Sequence, residues 1–264
     1  HEKVPDIELE FFVHGAICVA YSGRCLLSNY MTSRDANQGT CAHSCRWKYN
    51  VYLEEVERKG EFMPISEDEH GTYIMNSKDN CLLPYLKDLV EAGVCSFKVE
   101  GRNKTEYYLA TVAAAYRKAI DDMIAGKKFD KSLLGEVAKT ANRGFIPGYL
   151  SGFPAKDDIG LDSSSPKQTH KFVGIVMGRG HGGLRCDDLY EVDVRNRLDK
   201  GEEVEIMTPT LSKGATLRQF VCKVDEMFDL EGESVSKVHG GGGNRILKLV
   251  KGLPAFSMIR KVCR

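Results

Sequence analysis

In the first half of the chain, short apolar runs alternate with a few stretches of helical period. Residues Ile7 to Val13 read Ile-Glu-Leu-Glu-Phe-Phe-Val, an alternation that becomes continuously apolar, as in a strand buried more deeply toward its end. A short helix is expected at Leu26 to Tyr30, within a long polar segment from Gly15 to Arg46. Val51 to Glu55, Phe62 to Ile65 and Thr72 to Met75 predict strands between charged turns. Leu82 to Ala92 carries apolar residues at helical spacing before Gly93 ends it, and Val94 to Val99 is the next strand. Thr105 to Ile124 is the strongest helix, with Tyr108, Val112, Tyr116, Ala119 and Met123 recurring every three or four positions on one face. Strand, helix, strand, turn, helix is the rhythm of an α/β domain.

Asn142 to Lys167 is rich in Gly, Pro, Ser and Asp and reads as a linker. Beyond it the period shortens. Phe172 to Met177, Tyr190 to Val194, Glu203 to Met207, Arg218 to Val224, Ile246 to Val250 and Phe256 to Ile259 are β-rich runs with turn residues between them, predicting a small antiparallel β-barrel. The expected division is an α/β domain over 1–165 and the β domain over 166–264.

The composition is that of an ordinary globular chain, 42% hydrophobic and 28% charged over 264 residues. Lys plus Arg and Asp plus Glu each number 37, so bulk charge does not advertise a polyanion, and any nucleic-acid contact must come from a local patch. No apolar run reaches the roughly 18 to 20 residues of a membrane helix, so a cytoplasmic chain with no membrane partner is expected. Its opening at His1, directly before a strand, gives the further expectation of a carboxyl-terminal part of a longer protein.

Five of the nine cysteines fall in the first third. Six residues separate Cys18 from Cys25, fifteen separate Cys25 from Cys41, three separate Cys41 from Cys45, and thirty-five separate Cys45 from Cys81. They lie mostly in polar loop sequence, with Gly15, Gly23 and Gly39 among them to let the backbone bend. Thiolates there suit a soft metal or an iron-sulfur cluster, although buried inert thiols are common. The spacings match no short zinc-ribbon knuckle and do not choose between zinc and iron-sulfur.

Glu10-x-Phe12-x-x-Gly15-Ala16-Ile17-Cys18, followed after four residues by Gly23-x-Cys25-x-Leu27-Ser28, resembles the signature of the collagenase-like peptidase family U32. Arg34-Asp35-Ala36-Asn37-Gln38-Gly39-x-Cys41, Cys45-Arg46-Trp47, Asn76-Ser77-Lys78-Asp79-x-Cys81, Phe97 to Arg102, Asn142-Arg143-Gly144-Phe145 and His239 to Arg245 extend the resemblance over nearly the whole chain. It implies a partial barrel-like α/β domain followed by the small β domain. The closest pattern is that of the tRNA wobble-uridine hydroxylase branch, which implies oxygen-independent hydroxylation of tRNA or other RNA, prephenate as small-molecule donor, and a four-iron iron-sulfur cluster. Carried onto matching positions, the metal ligands are Cys18, Cys25, Cys41 and Cys81, with Cys45 a spare or substitute and zinc an alternative occupant. The older family name implies a competing reading as a peptidase acting on proteins or peptides. A third is a zinc-stabilised binding fragment without activity. The chain has neither the paired-histidine helix motif of a metallopeptidase nor a serine nucleophile elbow.

Other residues are candidates by type and place. Glu100 and Arg102 follow a strand, where α/β enzymes set working groups, or else brace the turn as an ion pair. Arg34, Arg102 and Lys104 suit the carboxylates of a small donor. His14, between the first strand and Cys18, suits acid-base work or a plain hydrogen bond, and His43 shares that ambiguity. The four glycines from Gly240 lack the partners of a phosphate loop and suit a hairpin. Arg245, Lys248, Lys251, Arg260, Lys261 and Arg264 offer the β domain a basic end for an RNA backbone, against an ordinary solvated face.

Overall fold

The computed structural model describes residues 5–17, 24–49, 51–54, 56–57, 59–60, 62–65, 78–102, 104–148, 150, 152, 167–180, 186–209 and 219–263. By compactness the chain forms two units, one of 1–82, 88–100 and 142–167, the other of 83–87, 101–141 and 168–264.

The first unit is organised by a strand paired on both edges. β1 (Leu9–Ala16) runs parallel to β5 (Val94–Val99) on one side and antiparallel to β4 (Asp79–Cys81) on the other, and β4 pairs in parallel with β6 (Phe145–Ile146). The order is β5-β1-β4-β6, a mixed sheet. The predicted alternation of β1 gives way to three consecutive buried residues, Val13, His14 and Gly15, which fits its central position. A hairpin of β2 (Val51–Glu54) and β3 (Phe62–Ile65) lies within this unit. Helix α1 (Leu27–Thr32) falls where the short helix was expected, whereas the strand expected at Thr72 to Met75 lies outside the described residues. Leu82 to Ala92 becomes a 3-10 turn at Leu83–Tyr85 and helix α2 (Leu86–Glu91).

The linker reading of Asn142 to Lys167 needs correction at its start. Asn142 is buried and bridged to Lys167, and Phe145–Ile146 joins the sheet. Turn residues dominate there because a tight turn has to precede β6. Asn142 Oδ1 accepts from the Gly144 amide at 2.9 Å, and Gly144 takes a φ of 85°, which only glycine adopts freely.

In the second unit, helix α3 (Glu106–Ile124) starts at Thr105, whose hydroxyl accepts from the Tyr108 amide, a cap contributing about 1 kcal/mol. Its buried face includes Tyr108, Val112, Tyr116 and Ala119 as expected, and widens to Tyr107, Thr111 and Ala115. A second helix, α4 (Ser132–Val137), follows. The β region forms an antiparallel sheet of seven strands in the order β11-β10-β15-β7-β8-β14-β12. These are β7 (His170–Arg179), β8 (Leu189–Val194), β10 (Glu203–Met207), β11 (Gln219–Lys223), β12 (Met227–Phe228), β14 (Asn244–Lys248) and β15 (Met258–Val262). A ribbon of β9 (Leu198–Asp199) and β13 (Lys237–Val238) accompanies it. The protein is thus mixed α/β with an antiparallel carboxyl-terminal sheet. Among the described residues the strand pairing is linear, from β11 at one edge to β12 at the other. The glycine run from Gly240 turns the chain from β13 into β14, and a Cβ on Gly240 would sit 2.1 Å from the Arg195 carbonyl oxygen.

One buried charge network joins the helices of this unit to its sheet. The side chain of Arg260, fully enclosed on β15, donates to Glu205 on β10 at 2.9 Å and to Glu136 on α4. Lys139 bridges the same two carboxylates at 3.1 and 2.9 Å. Burial would raise the Glu205 carboxyl, but Lys139 and Arg260 outweigh it and hold it at about 2. Tyr107 of α3 stacks on Phe172 of β7, its ring beside the Arg260 guanidinium.

This corrects the reading of Arg260 as part of an RNA-facing basic end, because an arginine committed to two internal carboxylates is withdrawn from solvent. Lys261 and Lys248 are likewise engaged, with Glu202 and Glu226. Arg264 lies outside the described residues.

Replacing Arg260 with Met is expected to destabilise the protein by roughly 3 to 5 kcal/mol, as when one partner of a buried ion pair is removed, measured by chemical denaturation. The folded Glu205 carboxyl titrates below its ordinary value of 4.5, so its contribution is present above that pH and is lost as pH falls toward about 2. The melting temperature is expected to fall across that window, and Glu205→Gln to flatten the fall.

Candidate functional site

The sequence candidates of the first unit collect at the end of β1 and along the segment that follows it. His14 is fully buried on β1, directly opposite Cys81 of β4 in the antiparallel register. Its carbonyl accepts from the Glu100 amide at 2.9 Å, and its ring lies 5.5 Å from that of Phe145. Glu100 therefore stands beside the end of β1. Gly15 makes that approach possible: its φ is 129°, and a Cβ there would lie 3.0 Å from the Glu100 Cβ. Asn80, buried on β4, clamps the strand by donating to the Phe12 carbonyl at 2.9 Å.

The cysteine segment is held by side-chain bonds to backbone in place of apolar burial. Ser28 of α1 is buried, donates to the Arg34 carbonyl at 2.7 Å and accepts from the Ala42 amide at 2.9 Å. The Asn37 side chain donates to the Cys25 carbonyl at 3.3 Å. Cys25, just before α1, and Cys41, next to Ala42, are thus fastened to one short helix, both half-buried. The Cys41 sulfur accepts from the His43 amide at 3.3 Å. Cys45 sits in a 3-10 turn, Ser44–Arg46, whose Arg46 donates to the Ile17 carbonyl at 3.1 Å, immediately before Cys18. Cys18 itself lies outside the described residues. Among the described residues, no three His, Cys, Asp or Glu side chains lie close enough together to hold a metal ion. All four carried-over ligand positions are thiols, a donor set suited to iron-sulfur or zinc.

Arg34 is exposed near this segment. Arg102 and Lys104 belong to the second unit, where Lys104 donates to the Ala141 carbonyl at 3.3 Å and lies 4.9 Å over the Tyr108 ring. The three basic residues proposed as one carboxylate clamp are thus divided between the units.

Sequence reasoning passed over Asp79, Arg46 and Arg143. The Asp79 carboxylate, almost fully buried at the start of β4, accepts from the Arg143 amide at 3.4 Å, and the Asp79 amide donates to the Gly144 carbonyl at 2.9 Å. The Arg143 guanidinium is pushed below its usual range by burial and then by the Arg46 guanidinium, with Asp79 and Cys45 opposing. The motif stretches containing these residues were the available signal; their convergence depends on β4 and β6, strands too short to show a period.

A model described as Peptidase family U32 matches residues 1–160, and one described as Peptidase family U32 C-terminal domain matches 168–260. The chain belongs to peptidase family U32. Its U32 relatives include tRNA hydroxylation protein P of Escherichia coli, 40% identical over 91% of this chain and 59% of that protein. Another is tRNA hydroxylation protein P1 of Bacillus subtilis, 34% identical over 98% of this chain and 59% of that protein. The 23S rRNA 5-hydroxycytidine C2501 synthase of Escherichia coli is 33% identical over 78% of this chain and 30% of that protein. The chain therefore spans about three-fifths of the first two relatives.

Gly15→Ala is expected to cost roughly 1 to 3 kcal/mol, from the positive φ together with the collision at Glu100. Urea denaturation checks this, and a stability equal to that of the parent contradicts the account of β1's end.

Proposed function

We propose that this chain is part of an RNA-modifying hydroxylase that acts on the wobble uridine of tRNA without using molecular oxygen, with prephenate as hydroxyl donor. The observation that carries the reading is the 40% identity to tRNA hydroxylation protein P over 91% of the chain. Similarity to an rRNA hydroxycytidine synthase supports the broader class of base hydroxylation.

In this reading Cys18, Cys25, Cys41 and Cys81 hold a four-iron cluster, with zinc an occupant after aerobic handling. Bound there, the cluster would supply thiolate-held, redox-active iron. Cys81 supports the assignment, since a buried thiol beside His14 at the end of the central strand is held rigidly by ladder hydrogen bonds. His14 and Glu100 take the acid-base roles, His14 enclosed and Glu100 partly exposed at the same strand end. Arg34 in the first unit, and Arg102 and Lys104 in the second, are assigned separate contacts with donor or RNA in place of a single clamp.

The test is nucleoside analysis of tRNA from a strain lacking the gene, complemented with parent or variant. Parent and Cys45→Ser are expected to restore hydroxylated wobble uridine, and Cys25→Ser, Cys41→Ser and Cys81→Ser to lose it by at least about tenfold, as for lost cluster or metal ligands. Wobble uridines unchanged by the deletion contradict the assignment.

A further inference from the structure

Charge is balanced over the whole chain but not over the cysteine segment. Lys plus Arg and Asp plus Glu are equal at 37 each, yet residues 24–49 hold four cations, Arg24, Arg34, Arg46 and Lys48, against one carboxylate, Asp35. That carboxylate is spent locally, accepting from the Asn37 amide at 2.8 Å. Arg46 is tied to the Ile17 carbonyl. Arg24, Arg34 and Lys48 are exposed and enter no ion pair among the described residues. The carboxyl-terminal sheet is the reverse: Arg179, Arg195, Arg197, Lys248, Arg260 and Lys261 each face a carboxylate. The cysteine segment also exposes aromatic rings. Tyr30 of α1 is 85% exposed, and Trp47, the single tryptophan of the chain, is 41% exposed. Trp47 ends the turn Ser44–Arg46, which packs against α1, and Ser28 braces α1 to Arg34 and Ala42. A tyrosine ring left this far in water contributes little burial to the fold.

We propose that residues 24–49 form a contact surface for unpaired RNA, with Tyr30 and Trp47 stacking on splayed bases and Arg24, Arg34 and Lys48 meeting the flanking phosphates. Unpaired bases present π-faces that stack on aromatic rings, and exposed cations with no carboxylate to leave meet the backbone. A paired helix offers phosphates but keeps its bases stacked inside, so exposed rings select a loop over a duplex. Leu26 and Met31 are exposed on the same segment and would suit a protein partner. The excess of unpaired positive charge favours a polyanion instead. The choice of RNA among polyanions rests on the hydroxylase reading. The RNA contact thereby moves from the basic end expected of the β domain to the segment that carries Cys25 and Cys41.

Fluorescence anisotropy of the purified protein with a labelled RNA hairpin bearing a uridine-rich loop tests it, with a fully paired RNA duplex of equal length as competitor. The hairpin is expected to bind several-fold tighter than the duplex and to quench Trp47 fluorescence over the same concentration range. Tyr30→Ala and Trp47→Ala are each expected to weaken hairpin binding by roughly 5- to 150-fold, the range for losing one base–aromatic stack. Tyr30→Phe is expected to retain binding and Tyr30→Leu to lose it. Arg34→Gln and Lys48→Gln are each expected to lower the slope of log affinity against log salt by about 0.7. Circular dichroism identifies any variant that fails to fold, and Tyr30, the more exposed ring, then decides. Parent-like hairpin binding by folded Tyr30→Ala or Tyr30→Leu, or duplex binding as tight as hairpin binding, overturns the assignment. Self-association lost in Tyr30→Ala with hairpin binding intact also overturns it and gives the surface to a second copy. Binding is read without turnover, so wobble uridines left unmodified while hairpin binding follows these expectations sink the hydroxylase reading and leave the RNA surface standing.

Discussion

The pairing of β1 on both edges is the constraint on which the first unit depends. A strand with one free edge can slip by a residue and turn its side chains over. With β5 parallel on one side and β4 antiparallel on the other, β1 has little freedom to do so, and His14, Cys81 and Glu100 stay at one end of the sheet. The chain leaves that end directly toward Cys18. Asn80 on the Phe12 carbonyl and Arg46 on the Ile17 carbonyl add side-chain ties above and below the same point. The cysteine segment itself has little apolar content, and Ser28 and Asn37 hold it through its backbone.

The second unit relies on a different interaction. Arg260, Lys139, Glu136 and Glu205 neutralise one another inside protein, between two helices and the sheet. Such a network specifies one arrangement more than it adds net stability, because desolvation offsets much of the attraction. It also removes Arg260 from the candidate RNA-facing residues.

Much of this was legible in the sequence where elements are long or strongly patterned. β3, β5 and β10 fall at the expected residues and α3 within one residue of them, because alternation or a helical stripe marks them. The misses have a common cause. Asp79–Cys81 and Phe145–Ile146 are strands of three and two residues, too short for any period, and are defined only by pairing partners far away in sequence. For that reason motif and residue type single out the cysteines and His14 as candidates, whereas Asp79 and Arg143 emerge only once β4 and β6 lie side by side. Arg260 was misjudged because a basic residue near a chain end looks exposed unless its carboxylate partners, 55 and 124 positions away, are known.

The central claim is that thiolates from Cys18, Cys25, Cys41 and Cys81 gather around iron beyond the end of β1. Iron X-ray absorption on anaerobically purified protein, with iron and sulfide quantified on the same sample, tests it most directly. The account predicts about four irons and four sulfides per chain, with an all-sulfur first shell and a short iron–iron distance. Stoichiometric zinc in anaerobic material, or iron bound mainly by nitrogen and oxygen, contradicts it.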